Sequence, residues 1–154
     1  MDTIKAMGIY NYQVYLKGMK KSYQDKLFFI DKINNNVNRI IDFGCADGTL
    51  LKYINEYLPD VRLIGYDIDQ NMIKHAKKEH NFIFTTNFEE CIKDVDVNHT
   101  LLNLSSVLHE VYSYSHYEDI EIFWKRVFNN QFEYIAIRDL CASESINRPS
   151  NIKV

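Results

Sequence analysis

Residues 39–48 read RIIDFGCADG, and this stretch decides the fold of the chain. Its first half is an apolar run that ends near an acid, Asp42, and predicts a buried strand. Its second half is a turn of small residues, Gly44, Ala46 and Gly48. Apolar residues then recur with the 3.6-residue period of a helix at positions 50, 51, 54, 57 and 58. The local prediction is therefore a strand, a small-residue turn and a helix.

A second apolar run, VRLIGY at 61–66, ends in Asp67. A strand, a small-residue turn, a helix and a second strand with a terminal acid are typical of a nucleotide-cofactor site. Small residues let the backbone approach a ligand closely. The start of the helix supplies unpaired N–H groups and the positive end of a dipole. The terminal carboxylate can accept hydrogen bonds from ribose hydroxyls.

The spacing of the turn favours one cofactor over another. A dinucleotide site has the pattern G-x-G-x-x-G, whereas this turn is G-x-A-x-G preceded by Asp42. It resembles the first motif of class I methyltransferases that use S-adenosyl-L-methionine, roughly D-x-G-x-G-x-G, with Ala46 where many members have glycine. Asp67 matches the ribose-binding position of that family. LSSVLHEV at 104–111 resembles the end of strand four in members that read L-x-x-V-L-H-H-V there.

The resemblance covers residues 40–139 and implies S-adenosyl-L-methionine as cofactor. The rest of the pattern predicts an α/β fold, because strands at 82–86, 100–105 and 134–140 alternate with helices. One helix begins at the N-cap Asp69, and others cover 89–92 and 120–128. We expect a doubly wound, mostly parallel sheet with a Rossmann-like methyltransferase core.

The predicted domain organisation has three parts. Residues 1–36 are a helical segment packed on the core, with apolar positions from Tyr12 to Ile30 at helical spacing; residues 37–141 are the cofactor-binding α/β core; residues 142–154 are a loose tail. The family fold normally continues past strand five with a helix and an antiparallel strand pair. We therefore expect a core truncated after strand five: a fragment, which we favour, a pared-down domain, or a domain completed by a partner chain. An uncovered strand edge would promote association.

The resemblance also implies the cofactor contacts. Asp42 orients the turn and reaches the methionine amino group, and Asn87 with Phe88 would lie around the adenine. The expected set is Asp42, Gly44, Cys45, Ala46, Gly48, Asp67, Ile68, Asn87, Phe88, Leu104 and Ser105. Two alternatives stay open: Asp42 as an acid that caps the turn backbone, and Asp67 as a loop acid or helix cap.

His109 and Glu110 are the candidate catalytic residues, since histidine titrates near neutral pH. Methyl transfer from a sulfonium is an in-line displacement, in which the protein mainly positions the nucleophile and removes a proton where needed. The alternative is that His109 caps the turn after strand four. Cys45, Cys91 and Cys141 show no metal-ligand spacing, so reduced thiols and no metal site are expected.

The composition of the chain limits the classes of partner molecule that we expect. A net charge of −3 argues against an extended polyanion, so nucleic acid is disfavoured but stays open. A basic stretch (Lys17, Lys20, Lys21 and Lys26) is interpreted as a solvated helix face, with contact to nucleic acid or to an acidic partner as the alternative. The N/D-P-P-Y/F motif of amino-methylation is absent, which disfavours a DNA amino-methyltransferase. No run is long and apolar enough to span a bilayer and no signal pattern is present, so a cytoplasmic location is expected.

The leading functional hypothesis is a methyltransferase that uses S-adenosyl-L-methionine. Its acceptor is unknown and is either a small molecule or a group carried on a macromolecule. A non-catalytic cofactor-binding scaffold, or a subunit completed by a partner chain, is the alternative. A nicotinamide-dependent oxidoreductase is a third hypothesis, which the spacing of the turn disfavours.

Overall fold

The computed structural model describes residues 23–93 and 97–140, apart from the side chain of Val97. In this part of the chain, five strands form one sheet: β1 Arg39–Phe43, β2 Arg62–Tyr66, β3 Ile83–Thr85, β4 Thr100–Ser105 and β5 Tyr134–Arg138. The order is β3-β2-β1-β4-β5, and every neighbouring pair is parallel. The predicted α/β fold with a doubly wound parallel sheet is confirmed.

Among residues 23–93 and 97–140, one helix precedes β1, and five helices and one 3-10 turn connect the strands. They are α1 Tyr23–Lys26, α2 Thr49–Tyr57, α3 Gln70–Glu79, α4 Phe88–Ile92, the 3-10 turn Val97–His99, α5 Leu108–Tyr114 and α6 Tyr117–Asn129. As predicted, Asp69 caps α3, and its carboxylate accepts from the Asn71 N–H at 2.7 Å and the Met72 N–H at 3.4 Å. These bonds pair two of the N–H groups that a helix leaves unpaired at its start.

The sheet buries both of its faces, because successive side chains of a strand point to opposite sides. Ile40 and Ile41 are fully buried neighbours in β1 that belong to different apolar clusters. The first cluster includes residues of α2 and α3, and the second includes residues of α4 and α6. Within the described segments, no helix has the length and apolarity needed to cross a membrane.

Three differences between the predicted and the observed elements bear on the site. The helix predicted to reach Ile30 ends at Lys26, and the turns that follow still pack Leu27 and Ile30 against the first cluster. The earlier part of that helix, through residue 22, lies outside the described residues, as does the predicted tail. Strand five ends at Arg138 rather than at residue 140.

The segment LSSVLHEV is the third difference. It contains the end of β4 at Ser105, a turn and the start of α5 at Leu108, a helix that the sequence analysis did not predict. No residue of α5 is buried. Its apolar residues Leu108 and Val111 have helical spacing and pack against the second cluster, but the helix has only seven residues, which is too short for a repeating apolar stripe to be recognised.

The order of the strands locates the ligand crevice. The chain winds from β1 to β2 in one direction and crosses to β4 on the other side of β1. Ligands of doubly wound sheets bind beyond the carboxyl ends of the strands at such a switch point. Asp42 and Asn103 are register partners at this end of β1 and β4, while Asp67 and Asp139 follow the ends of β2 and β5.

Candidate functional site

The turn after β1 has an unusual backbone. Gly44, Ala46 and Gly48 have φ values of 76°, 47° and 77°. This left-handed region costs a residue with a side chain about 1–2 kcal/mol, so glycine suits two of the three positions. Ala46 bears that strain, and its N–H donates to Asp67 Oδ2 at 2.8 Å. The side chain at the end of β2 therefore holds the turn at the end of β1.

Protein atoms fill the space around the glycines. A Cβ at Gly44 would lie 2.7 Å from Val107 Cγ2, and one at Gly48 would lie 2.6 Å from Phe84 Cζ. The left-handed backbone and the packing of the turn against neighbouring side chains are thus reasons for glycine at these positions, beside the predicted close approach of a ligand.

Asp67 uses both carboxylate oxygens on the backbone. Oδ2 accepts from the Ala46 N–H, and Oδ1 accepts from the Asp69 N–H at 2.8 Å. Burial raises the pKa of Asp67, although these bonds act in the other direction. A carboxylate oxygen has two lone-pair sites. The carboxylate of Asp67 therefore has capacity to accept further hydrogen bonds.

Asp42 lies deeper, with 2% of its surface exposed. Its Oδ1 accepts from Asn103 Nδ2 at 2.8 Å. Burial raises the pKa of Asp42 to about 7, and the Asn103 bond and the Lys26 ammonium offset this only in part. The group is therefore a carboxyl that exchanges its proton near neutral pH.

The raised pKa of Asp42 predicts a pH-dependent stability. The folded protein keeps this proton up to about pH 7, whereas an ordinary aspartate releases it near 3.8. Since the folded state binds more protons in this window, its free energy of unfolding falls as the pH rises through it. We expect Asp42→Asn to flatten this fall, measured by denaturant unfolding at pH 5 and pH 7.5. An equally steep fall in the variant would contradict the assignment to Asp42.

A small cavity lies beside Asp42 at the switch point. It has a volume of about 20 Å³, room for about one water molecule, and its lining includes Tyr23, Lys26, the turn and Ser105. Within the described residues, the buried Ser105 Oγ and Asn103 Oδ1 have no hydrogen-bond partner. Buried polar atoms normally have one, and Ser105 lines the cavity, so its hydroxyl contributes an unpaired polar group to it.

Lys26 corrects the prediction of a solvated basic face. Its side chain is buried, with 5% of the residue exposed, and burial lowers its pKa. Its Nζ lies 5.6 Å from the centroid of the Tyr23 ring. The short helix α1 thus turns one lysine of the basic stretch into the cavity, while Lys17, Lys20 and Lys21 lie outside the described residues.

The two residues predicted at the adenine have other roles in the structure. Asn87 is the N-cap of α4, where its Oδ1 accepts from the Glu89 N–H at 3.1 Å. Phe88 is 4% exposed, with its ring centroid 5.3 Å from that of Phe43. This core position corrects the prediction that Phe88 packs on the adenine ring. Ile68, 65% exposed beside Asp67, has the free apolar surface that Phe88 lacks.

Cys45 and Leu104 have buried side chains, so a contact with a ligand would come from their backbone. The Cys45 N–H donates to the Tyr66 carbonyl at 2.9 Å, and its thiol is a free, buried group. Burial raises the pKa of this thiol, which disfavours a nucleophilic role. Leu104 is fully buried in the second cluster. No group of three or more metal-ligating side chains occurs among residues 23–93 and 97–140.

His109 forms a pair that the sequence analysis missed. Its Nδ1 lies 2.7 Å from Asp139 Oδ1, while Asp139 Oδ2 accepts from the Leu108 N–H at 2.6 Å. Burial acts to raise the pKa of Asp139, but hydrogen bonds from Leu140, His109 and Leu108 outweigh it and the pKa is lowered. Asp139 is a third acid at the end of a strand, after Asp42 and Asp67, and this repeat was the signal that could have found it.

Glu110, the other candidate catalytic residue, lies on the far side of the His109 ring. Its Oε1 is 4.0 Å from His109 Nε2. Burial raises the pKa of Glu110, and the nearby His109 acts against that rise. Of the two candidates, His109 has the closer and better-held partner.

Comparison with known proteins identifies relatives of this chain. A family model described as "Methyltransferase domain" matches residues 41–130. The chain is 34% identical over 80 residues to juvenile hormone acid O-methyltransferase of Bombyx mori, covering 47% of this chain and 29% of that protein. It is 34% identical over 71 residues to malonyl-[acyl-carrier protein] O-methyltransferase of Acetivibrio thermocellus, covering 46% and 25%. The matches thus span less than a third of either relative.

A solved structure shows the same fold. The match to a SAM dependent methyltransferase from Archaeoglobus fulgidus has a TM-score of 0.52 at 18% identity, and covers 79% of this chain and 53% of that one. The family match itself runs from β1 through α6 and includes the turn, Asp67 and His109. Because it covers more than half of the sequence, the chain belongs to the methyltransferase domain family.

Proposed function

We propose that this chain is the cofactor-binding core of a methyltransferase that uses S-adenosyl-L-methionine. The observation that carries the proposal is the left-handed turn of β1, tied to Asp67 and set at the switch point beside Asp42. When bound, the cofactor supplies a methyl group activated by the positive charge on its sulfur. The residues of the site bind and orient it.

The residues present fit such a group. The second acceptor positions of Asp67 suit two ribose hydroxyls, and the exposed Ile68 suits the apolar adenine ring. The unpaired Ser105 Oγ and the buried Lys26 and Asp42 suit the polar methionine end. In this assignment Asn87 and Leu104 contribute through their backbone, because the side chain of Asn87 caps a helix and that of Leu104 lies in the core.

Calorimetry with S-adenosylhomocysteine and with NAD tests the cofactor. We expect the first to bind and the second not to bind, because the turn has the spacing G-x-A-x-G. Tighter binding of NAD would contradict the proposal. Formation of S-adenosylhomocysteine from S-adenosyl-L-methionine in the presence of an acceptor separates an enzyme from the alternative of a non-catalytic scaffold or subunit.

Asp67→Ala is expected to weaken S-adenosylhomocysteine binding by about 1.5–3 kcal/mol, the range for hydrogen bonds to charged groups, or tenfold and more in the dissociation constant. The substitution also removes the acceptor of the Ala46 N–H, so the free energy of unfolding should fall. Asp67→Asn, which keeps one acceptor oxygen, should lose less of both.

Asp60→Ala supplies the control for Asp67→Ala, since Asp60 is an exposed acid in a turn before β2. Calorimetry and thermal unfolding on the same samples separate affinity from stability. Wild-type affinity in a folded Asp67→Ala protein would remove Asp67 from the site.

We further propose His109 as the base that takes a proton from the acceptor. Its pairing with Asp139 fixes the imidazole through Nδ1 and leaves Nε2 for the acceptor. An oxygen nucleophile is the acceptor class we favour, because the two curated relatives described above are named O-methyltransferases. The acceptor itself, a small molecule or a group on a macromolecule, is to be identified by screening.

We infer a cytoplasmic location from the two free, buried cysteines, since a reducing compartment keeps thiols unpaired. The net charge of −3 supports an acceptor other than nucleic acid. Fractionation of cells that produce the tagged protein tests the location. Retention on immobilised DNA or RNA tests whether the protein binds nucleic acid.

A further inference from the structure

Lys26 is a buried cation whose charge is not neutralised by a close acid. It is 5% exposed, and none of the ion pairs among the described residues includes it. Its described contact is the Tyr23 ring, 5.6 Å from Nζ. Burying an ammonium group away from water without a partner is costly. Such a residue points to an anion that this part of the chain does not supply.

The cavity beside Lys26 has the other features of an anion site. Its lining includes Asp42, Ser105 and the turn at the end of β1. The Ser105 hydroxyl is buried and unpaired among the described residues, so it has a proton to donate. The cation and the hydroxyl are both hydrogen-bond donors of the kind that carboxylate oxygens accept.

Asp42 is a poor permanent counter-ion for Lys26. Its Oδ1 accepts from Asn103, and burial keeps its carboxyl partly protonated near neutral pH. Burial shifts both groups towards their uncharged forms, which is the opposite of the shifts in a strong ion pair. A ligand with its own carboxylate would restore the charge on Lys26, and its ammonium group would restore the charge on Asp42.

We propose that Lys26 binds the α-carboxylate of the methionine moiety of the cofactor, with the Ser105 hydroxyl as a second donor. The assignment rests on the proposed function, which places an adenosyl amino acid at this turn. It makes Lys26 the residue by which the site distinguishes an adenosyl amino acid from an adenosyl amine. The competing explanation is that Lys26 only balances the charge of Asp42.

A matched pair of ligands tests the proposal. S-adenosylhomocysteine has the carboxylate, whereas S-adenosyl-3-thiopropylamine keeps the adenosine, the sulfur and the amine but lacks it. In calorimetry, we expect Lys26→Met to weaken S-adenosylhomocysteine binding by about tenfold to a hundredfold, the effect of losing a hydrogen bond to a charged group. The affinity of the same variant for S-adenosyl-3-thiopropylamine should change by less than about threefold.

Two further variants complete the test. Lys26→Arg keeps the cation and should retain most of the preference for the carboxylate ligand. Lys32→Met removes an exposed lysine, 67% accessible in its side chain, and should leave both affinities unchanged. If Lys26 only balanced the charge of Asp42, Lys26→Met would bind both ligands more weakly and by the same factor. That result would overturn the proposal.

The wild-type protein gives a second measurement, which does not depend on whether Lys26→Met folds. We expect the wild type to bind S-adenosylhomocysteine at least about tenfold more tightly than its carboxyl methyl ester, in which the negative charge is gone. Equal affinities would overturn the role of Lys26 while leaving the proposed function standing. Failure of every adenosyl ligand to bind would overturn both.

Discussion

Gly44→Val is expected to abolish cofactor binding and to lower the free energy of unfolding by about 2–5 kcal/mol. A left-handed residue with a side chain costs about 1–2 kcal/mol, and forcing extra atoms into a packed site costs about 1–3 kcal/mol. Both apply at Gly44, which has a φ of 76° and whose Cβ would lie 2.7 Å from Val107 Cγ2. A shift of the turn would also disturb the Ala46 N–H that Asp67 holds.

Circular dichroism, denaturant unfolding and calorimetry with S-adenosylhomocysteine measure the two effects on one sample. Gly44→Ala, alone and combined with Val107→Ala, separates their causes. Removing the Val107 methyl groups relieves the clash and leaves the backbone strain, so the double variant should recover part of the lost stability. A folded Gly44→Val protein with wild-type affinity would show that this turn does not shape the cofactor site.

The sequence was sufficient to predict the elements around the turn. Ile40 and Ile41 are consecutive apolar residues, as a strand buried on both faces requires, and the apolar residues of the segment after the turn repeat at 3.6 residues. Asp69 lies at the N-cap of α3, where short polar side chains bond the free N–H groups. These signals are local, so they do not depend on what packs against them. Helix α5 has only seven residues, fewer than the window over which a 3.6-residue period can be recognised.

Side-chain direction was harder to predict than backbone structure. Phe88 follows β3, where the resemblance placed the adenine, but it begins α4 and that helix packs it against Phe43. Lys26 has the residue type of a solvated face, but α1 lies against the core and places it in the cavity. Both outcomes depend on how a short helix packs against the sheet, which neither residue type nor spacing records.

The pairing of His109 with Asp139 depends on the order of the strands. The two residues are 30 positions apart and come together because β4 and β5 are parallel neighbours. The sequence predicted both strands without fixing their order in the sheet. Asp139 was therefore missed, although it follows an apolar run in the same way as Asp67.

With a hydroxyl acceptor, His109→Asn is expected to lower kcat by about 10²–10⁴-fold, the usual contribution of a general base, and to leave the affinity for S-adenosylhomocysteine unchanged. The Asp139 carboxylate orients the imidazole through Nδ1 and favours the form that accepts a proton on Nε2. Asp139→Asn should lower kcat by less, because the Asn oxygen can still accept from Nδ1–H. Release of S-adenosylhomocysteine with an acceptor found by screening measures these rates.

Two controls separate this role from simple packing. His75→Asn changes an exposed histidine on α3 and should leave kcat unchanged. Glu110→Gln tests the other candidate base, and its effect should be smaller, because Glu110 lies 4.0 Å from His109 Nε2 and has no comparable partner. The effect of His109→Asn on kcat depends on the acceptor, because a hydroxyl must lose a proton during transfer whereas a carboxylate has already lost it. An unchanged kcat in His109→Asn with a hydroxyl acceptor would remove His109 from the chemistry.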